Sequence, residues 1–352
     1  MLDCYSPLKI FHHQARLQPM REGLRPRPLH VHFVTTNRCN QNCSFCAYRM
    51  GGSPAAEDFH AGNEIPFDKV LEILDSCVRL DVRAIELTGG GEPTMHPRFP
   101  DICAEILRRG MSYCVLTNGM KWSDAIWEAL SKAAWVRFSI DASNEAMYES
   151  IRRVAGDTLG LVRSHIRELT SSRYGRDPVV GVGFVVTENN WWGVLKAAEN
   201  AREDGADNIR ISAVLQDKGV EYFAAFHDEA SELCRLAKQL ETPTFRVFNR
   251  FGDRMTDLTQ MSPSERFCGY QHLVPYIGAD LNVYRCCIVS YNPIGLLGSI
   301  RDRDFETMWN SEEVGELLAY FDARQCPYCM YTERNRAIAY AICDNPAHVD
   351  FL

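Results

Sequence analysis

Residues 29–46, LHVHFVTTNRCNQNCSFC, decide how this chain is read. Leu29–Thr36 has the pattern of a strand and delivers the chain directly into Cys39, Cys43 and Cys46. Those three form a CxxxCxxC run in the loop that follows. Three thiolates this close can wrap one iron–sulfur cluster and leave its fourth iron open to a small molecule. The competing reading is a structural zinc site, with His60 or the CxxC at 326–329 supplying a fourth ligand.

Working outward, strand and helix patterns alternate to about residue 250. After Pro66, apolar Phe67, Val70, Leu71, Leu74, Cys77 and Val78 recur at helical spacing. Ala84–Thr88 reads as the next strand. Further strands are expected at 112–117, 136–142, 179–187 and 208–215, with helices near 100–109, 123–133, 144–153, 159–171 and 193–204 between them. A last helix and strand fall near 228–248. Strands separated by helices of this length predict right-handed parallel βα units. About six fit, short of the eight that close a barrel. The expected fold is therefore α/β, a partial (β/α)6 TIM-like barrel over 29–255 after an N-terminal extension at 1–28.

Polar and glycine-bearing stretches stand at the strands' carboxyl ends, where such folds place their sites. They are Thr88–Thr94, Thr117–Gly119, Ser139–Asp141 and Thr187–Asn190. In the first, Gly89-Gly-Gly-Glu-Pro93 exposes backbone to a ligand, and Glu92 offers a carboxylate to an ammonium group. Glu188 and Asp141 are candidate general bases by strand-end position alone. His96 follows the glycine loop, where a structural or surface role is expected.

The alternation breaks after about 255. Leu273–Ile277, a turn at 278–282 and Val283–Val289 predict a β-hairpin, followed by a Cys-rich helical tail within a segment at 256–352. Cys268, Cys286, Cys326 and Cys329 are spaced so that a hairpin and a CxxC can bring four thiolates together. That set suits a fully ligated, electron-transferring cluster or a Cys4 zinc site. Cys287 is an alternative ligand, a spectator or a thiol facing substrate, and Cys343 is equally open. Cys77, Cys103, Cys114 and Cys234 lie on helix or strand patterns and are expected in the core.

Composition narrows the classes. The 352 residues carry a net charge of −8, which argues against nucleic acid or an anionic membrane as a partner. No apolar run reaches 18 residues, so no spanning helix is expected. Met1–Gly23 lacks the apolar stretch of a signal peptide, and a cytoplasmic protein is expected. Fourteen cysteines in a reducing compartment point to metal ligation rather than disulfides.

On its CxxxCxxC run and glycine loop the chain resembles the radical S-adenosylmethionine (radical SAM) superfamily over residues 29–250. The resemblance implies that Cys39, Cys43 and Cys46 bind a [4Fe–4S] cluster whose open iron is chelated by S-adenosylmethionine. Phe45 would pack near the adenine, and Gly90, Gly91 and Glu92 would hold the methionine ammonium. Ser139 and Asp141 would make polar contacts. The tail is similar to the Twitch subdomain, a shortened SPASM domain, implying one auxiliary [4Fe–4S] cluster on Cys268, Cys286, Cys326 and Cys329. Too few cysteines remain for a second. Leu281 stands where that pattern has glycine, and Asn282 is expected to take the positive-φ position instead.

By this resemblance a 5′-deoxyadenosyl radical abstracts a substrate hydrogen, with electrons from a reductant protein such as flavodoxin or ferredoxin. The expected outcome is dehydrogenase-type oxidation of a small molecule, the auxiliary cluster accepting the electron. Dehydrogenases of aminoglycoside biosynthesis have similar auxiliary Cys spacing. The alternatives are redox-neutral chemistry (epimerisation with Cys287 returning hydrogen, rearrangement or decarboxylation) and peptide modification. The last is disfavoured because the Cys loop begins at residue 39, leaving no room for an amino-terminal peptide-recognition domain. Outside enzymes, an iron–sulfur electron carrier or zinc-stabilised binding protein also fits the cysteines.

Overall fold

In this computed structural model, residues 4–172 and 177–347 are described. Among them, α1 (Gln14–Arg21) precedes seven mutually parallel strands. These are β1 (His30–Phe33), β2 (Ala84–Leu87), β3 (Ser112–Thr117), β4 (Trp135–Ser139), β5 (Val179–Val186), β6 (Asn208–Ala213) and β7 (Arg246–Asn249). The crossovers are α2 (Phe67–Arg79), α3 (Phe99–Arg108), α4 (Asp124–Ser131), the pair α5 (Glu145–Arg152) and α6 (Thr158–Ser172), α7 (Val194–Glu203) and α8 (His227–Lys238). Six βα units result, as the alternation predicts, and the sheet does not close into a barrel.

The two-residue period of the strands sorts their side chains. Val31, Phe33, Ile85, Leu87, Val136 and Phe138 are buried in the main core. The alternate positions, His30, His32, Glu86, Cys114, Arg137 and Arg210, turn to the concave face. There Glu86 lies within electrostatic reach of His32, His30, Arg137 and Arg210. The sheet thus separates an apolar outer layer from a polar hollow, and the strand ends define the rim of that hollow.

Beyond β7 the structure corrects two expectations. After α9 (Phe251–Gln260), the hairpin is shorter than the pattern implies: β8 (Tyr276–Ile277) and β9 (Asn282–Tyr284), antiparallel to each other. The chain leaves the sheet at Arg285, and Cys287–Val289 forms a 3-10 turn instead of a strand. Within the turn, Leu281 itself takes the left-handed conformation (φ 65). Its N–H donates to Gly278 O (3.1 Å), and Asp280 Oδ1 accepts the Asn282 N–H (3.2 Å).

β8 also pairs in parallel with β1, and β9 pairs with β10 (Leu296–Ser299), so the hairpin continues the barrel sheet. The order is β10-β9-β8-β1-β2-β3-β4-β5-β6-β7. The tail adds α10 (Phe305–Asn310), α11 (Glu312–Ala319) and α12 (Thr332–Ile342). α1 lies against α12, where the Arg21 guanidinium donates twice to Ala341 O (2.9 and 2.6 Å). A second apolar core, including Leu17, Tyr270, Val289, Tyr331 and Ile338, joins these ends of the chain. No helix among the described residues is long and apolar enough to cross a membrane.

Candidate active site

The CxxxCxxC loop is docked on the carboxyl end of α5. Asn42 N–H donates to Arg152 O (3.2 Å) and Ser44 N–H to Ile151 O (2.9 Å). Helix α5 ends sharply because Arg153 adopts a left-handed conformation. That geometry sends the Arg152 side chain back under the loop, where its guanidinium donates to Cys43 Sγ (3.2 Å). The same group is ion-paired with Asp141 and lies over the Phe45 ring (5.8 Å). Burial opposes charge on Arg152, but Asp141 and Cys43 outweigh it and push its pKa up. A permanent cation therefore sits beside one cysteine of the run. Asn118 Nδ2 is 4.0 Å from Cys39 Sγ, and burial pushes the Cys39 thiol to about 11 and raises Cys46. The Cys39 and Cys46 thiols thus hold their protons until a metal displaces them.

The glycine loop runs directly behind this one. A Cβ on Gly91 would stand 2.4 Å from Arg38 O, and one on Gly90 2.3 Å from the Phe59 ring. Glycine is required there for two backbones to touch, and Glu92 N–H donates to Arg38 O (2.9 Å). The Glu92 carboxylate is buried and accepts four hydrogen bonds. They come from Thr94 N (3.1 Å), Thr94 Oγ1 (2.8 Å), Thr117 Oγ1 (2.7 Å) and Asn118 N (2.7 Å). Glu92 thereby ties the end of β2 to the end of β3.

The remaining strand-end residues divide. Ser139 is half-buried at the end of β4. Asp141, two residues on, is left-handed (φ 57). Besides Arg152, its carboxylate accepts the Val185 N–H (2.6 Å). Glu188 is exposed in the loop after β5, where its backbone N–H donates to Tyr222 OH (3.0 Å). The structure therefore gathers Cys39, Cys43, Cys46, Phe45, Gly90, Gly91, Glu92 and Asp141 around one rim and leaves Glu188 outside that network. His96 is buried, with Nε2 3.0 Å from Ile65 O.

The second cysteine set converges around Arg285. Burial pulls Arg285 down to about 10, against the pull of Cys268, Cys326 and Cys286. Cys268, Cys286, Cys326 and Cys329 all border the second core. Burial pushes Cys268 to about 11 and Cys326 to about 12. Three of these thiols surround one cation, and Cys329 lies beside Cys268 and Cys326, a donor set that suits a metal centre.

Between the two sets stand Tyr48, Tyr276 and Tyr291. The Tyr48 hydroxyl accepts from Tyr276 OH (3.2 Å), and its pKa, raised mainly by burial, also feels both Cys287 and Cys46. Cys287 Sγ lies 3.0 Å from Tyr331 OH, whose ring stacks on Tyr270 at 3.8 Å. Tyr270 OH in turn is 3.5 Å from His32 Nε2. Cys287 thus connects the second cysteine set to the polar hollow. Sequence reasoning placed Thr117–Gly119 on the site face without giving Thr117 or Asn118 a role, and it missed Arg152 and His32. For Arg152, its place in the helix after the Ser139–Asp141 strand end was the available signal.

The Radical SAM superfamily model matches residues 33–215. The chain is 28% identical over 192 residues to the tungsten-containing aldehyde ferredoxin oxidoreductase cofactor-modifying protein of Pyrococcus furiosus, spanning 53% of this chain and 51% of that protein. It is 27% identical over 322 residues to the antilisterial bacteriocin subtilosin biosynthesis protein AlbA of Bacillus subtilis, covering 87% of this chain and 64% of AlbA. It therefore spans about half of the first relative and less than two thirds of the second. Among solved structures, Streptococcus suis SuiB bound to precursor peptide SuiA superposes with a TM-score of 0.64 at 12% identity, over 90% of this chain and 73% of SuiB. That likeness concerns the fold.

Proposed function

We propose an activity from the premise that the chain belongs to the radical SAM superfamily, whose members use a [4Fe–4S] cluster and S-adenosylmethionine. We assign the cluster to Cys39, Cys43 and Cys46. Three thiols on one loop, with donors from Arg152 and Asn118 beside them, fit it. When bound, the cluster and S-adenosylmethionine supply radical hydrogen abstraction from substrate carbon. The protein's part is to place that carbon at the rim of the polar hollow. Glu92 and Asp141 we read as positioning residues, because their carboxylates are engaged by the protein itself.

We assign Cys268, Cys286, Cys326 and Cys329 to one auxiliary [4Fe–4S] cluster in a Twitch-like tail beginning near 256. The boundary falls within α9. When bound, this cluster supplies an electron acceptor, and the net reaction is a two-electron oxidation of a small molecule. The observation that supports this reading is the clustering of Cys268, Cys286, Cys326 and Cys329 along the second core, with Cys287 and Tyr48 linking them toward the first set.

A peptide substrate is the second reading, supported by the bacteriocin named for AlbA and the precursor peptide bound to SuiB. The test is anaerobic turnover with candidate substrates of both kinds. Wild type is expected to give a product two mass units lighter together with 5′-deoxyadenosine. Cys43→Ala is expected to give neither, and Cys326→Ala to give 5′-deoxyadenosine without oxidised product. Oxidised product from Cys326→Ala would refute the auxiliary role.

A further inference from the structure

Among the described residues, Glu86 faces two arginines in the hollow, Arg137 and Arg210. Arg137 on β4 and Arg210 on β6 both reach into it. Their guanidinium carbons lie 5.6 and 5.4 Å from the ring centre of Tyr5, which enters from the amino-terminal segment. Arg137 Nη2 donates to Tyr5 OH (2.5 Å). The Nε–H groups of both arginines are buried and meet no acceptor among the described residues. Glu86, the carboxylate that faces them, is turned instead toward His32, with Oε1 3.8 Å from Nε2. Burial, followed by the charge of Arg137, pulls Arg210 down to about 10, so it stays cationic at neutral pH.

The strand between the two arginines carries glycines at their level: β5 pairs Gly181 with Arg137 and Gly183 with Arg210, and the Asn208 side chain and the Arg137 stem lie over those glycines. A buried charged donor without an acceptor is costly unless a ligand supplies one. A planar carboxylate or a phosphate offers several acceptors to two such forks. Arg137 lies two residues below Ser139, about 7 Å deeper than the rim at the usual strand rise.

We propose that Arg137 and Arg210 form an oxyanion site that binds an anionic group of the substrate at the floor of the hollow, away from the reacting carbon at the rim. The site rests on the reading of this hollow as the substrate cavity. Substrates carrying a carboxylate or a phosphate are selected, and neutral analogues are rejected because they leave both Nε–H groups without an acceptor.

The test uses the anaerobically reconstituted holoenzyme with S-adenosylmethionine. It is titrated separately with inorganic phosphate and with acetate at constant ionic strength in chloride. Calorimetry is one readout. Tryptophan fluorescence is the other, because Arg137 sits 4.9 Å over the Trp135 ring and its movement alters that signal. Saturable binding is expected, weakened at least tenfold in both Arg137→Gln and Arg210→Gln. Tighter phosphate binding assigns a phosphorylated substrate, and tighter acetate binding a carboxylate. Arg210→Lys, which keeps the charge and loses the fork, is expected to bind at intermediate strength and serves if a glutamine variant does not fold. Absence of saturable binding to wild type, or binding that survives both substitutions, overturns the site. Failure of wild type to form 5′-deoxyadenosine would instead overturn the proposed function.

Discussion

Replacing Asp141 by Asn isolates the charge that holds the cysteine loop in place. Asparagine tolerates the left-handed backbone at this position, and its side-chain oxygen can still accept the Val185 N–H. What disappears is the counter-charge to Arg152. The two side chains are only 3% and 6% exposed, so the substitution strands a buried cation. Breaking a buried pair from one side costs about 3–5 kcal/mol. With an unfolding entropy of about 2.1 cal/mol/K per residue, a chain of this length should lose roughly 4–7 °C in its thermal midpoint. The measurement is thermal unfolding of the reduced, metal-free chain followed by circular dichroism. Arg152→Gln and the double variant complete the cycle. The double variant should be more stable than Asp141→Asn alone, because the uncompensated cation is gone. A midpoint within 1 °C of wild type for Asp141→Asn, or strictly additive single effects, would refute the argument that this pair is a structural unit.

Glu92→Gln should cost about 2 kcal/mol, since one amide face must meet a buried N–H or hydroxyl donor that the carboxylate now accepts; denaturant unfolding reads it, and an unchanged midpoint would mean the four bonds are dispensable. Leu281→Val should destabilise by about 1–2 kcal/mol, because a branched Cβ is poorly tolerated at the left-handed φ of 65, whereas Leu281→Gly should stay within about 1 kcal/mol of wild type. Burial holds His30 neutral down to about 3 and His272 down to about 4. The unfolded chain takes up those protons near pH 6.5, so the stability present at neutral pH is lost as pH falls from about 6.5 toward 4 for His272 and toward 3 for His30. Denaturant midpoints at pH 7.5 and pH 5 should differ less in His30→Asn than in wild type, and equal differences would remove His30 from the account.

The barrel was legible because its signals are local. The strand expected at 112–117 is β3 to the residue, and the helix begun at Phe67 is α2, each marked by its own period. The strand expected at 136–142 stops at Ser139 because Asp141 turns left-handed, a choice made by its distant partners Arg152 and Val185. Long-range pairings left no such trace. Arg152 is 109 positions from Cys43, and Tyr5 is 132 positions from Arg137. The same holds for the join between β8 and β1. Nothing in Tyr276–Ile277 marks which edge it will meet, and only the assembled sheet offers β1 as one of its two free edges.

That join has a consequence for synthesis. β1 gains β2 as a neighbour early, but its other edge waits for Tyr276–Ile277, which leave the ribosome roughly 240 residues later. At about 5–20 residues per second, that interval lasts on the order of 12–50 s. Throughout it, unpaired N–H and C=O groups lie open beside the strand that introduces the reactive cysteines. The nascent chain must pass this interval without letting that edge pair with another copy.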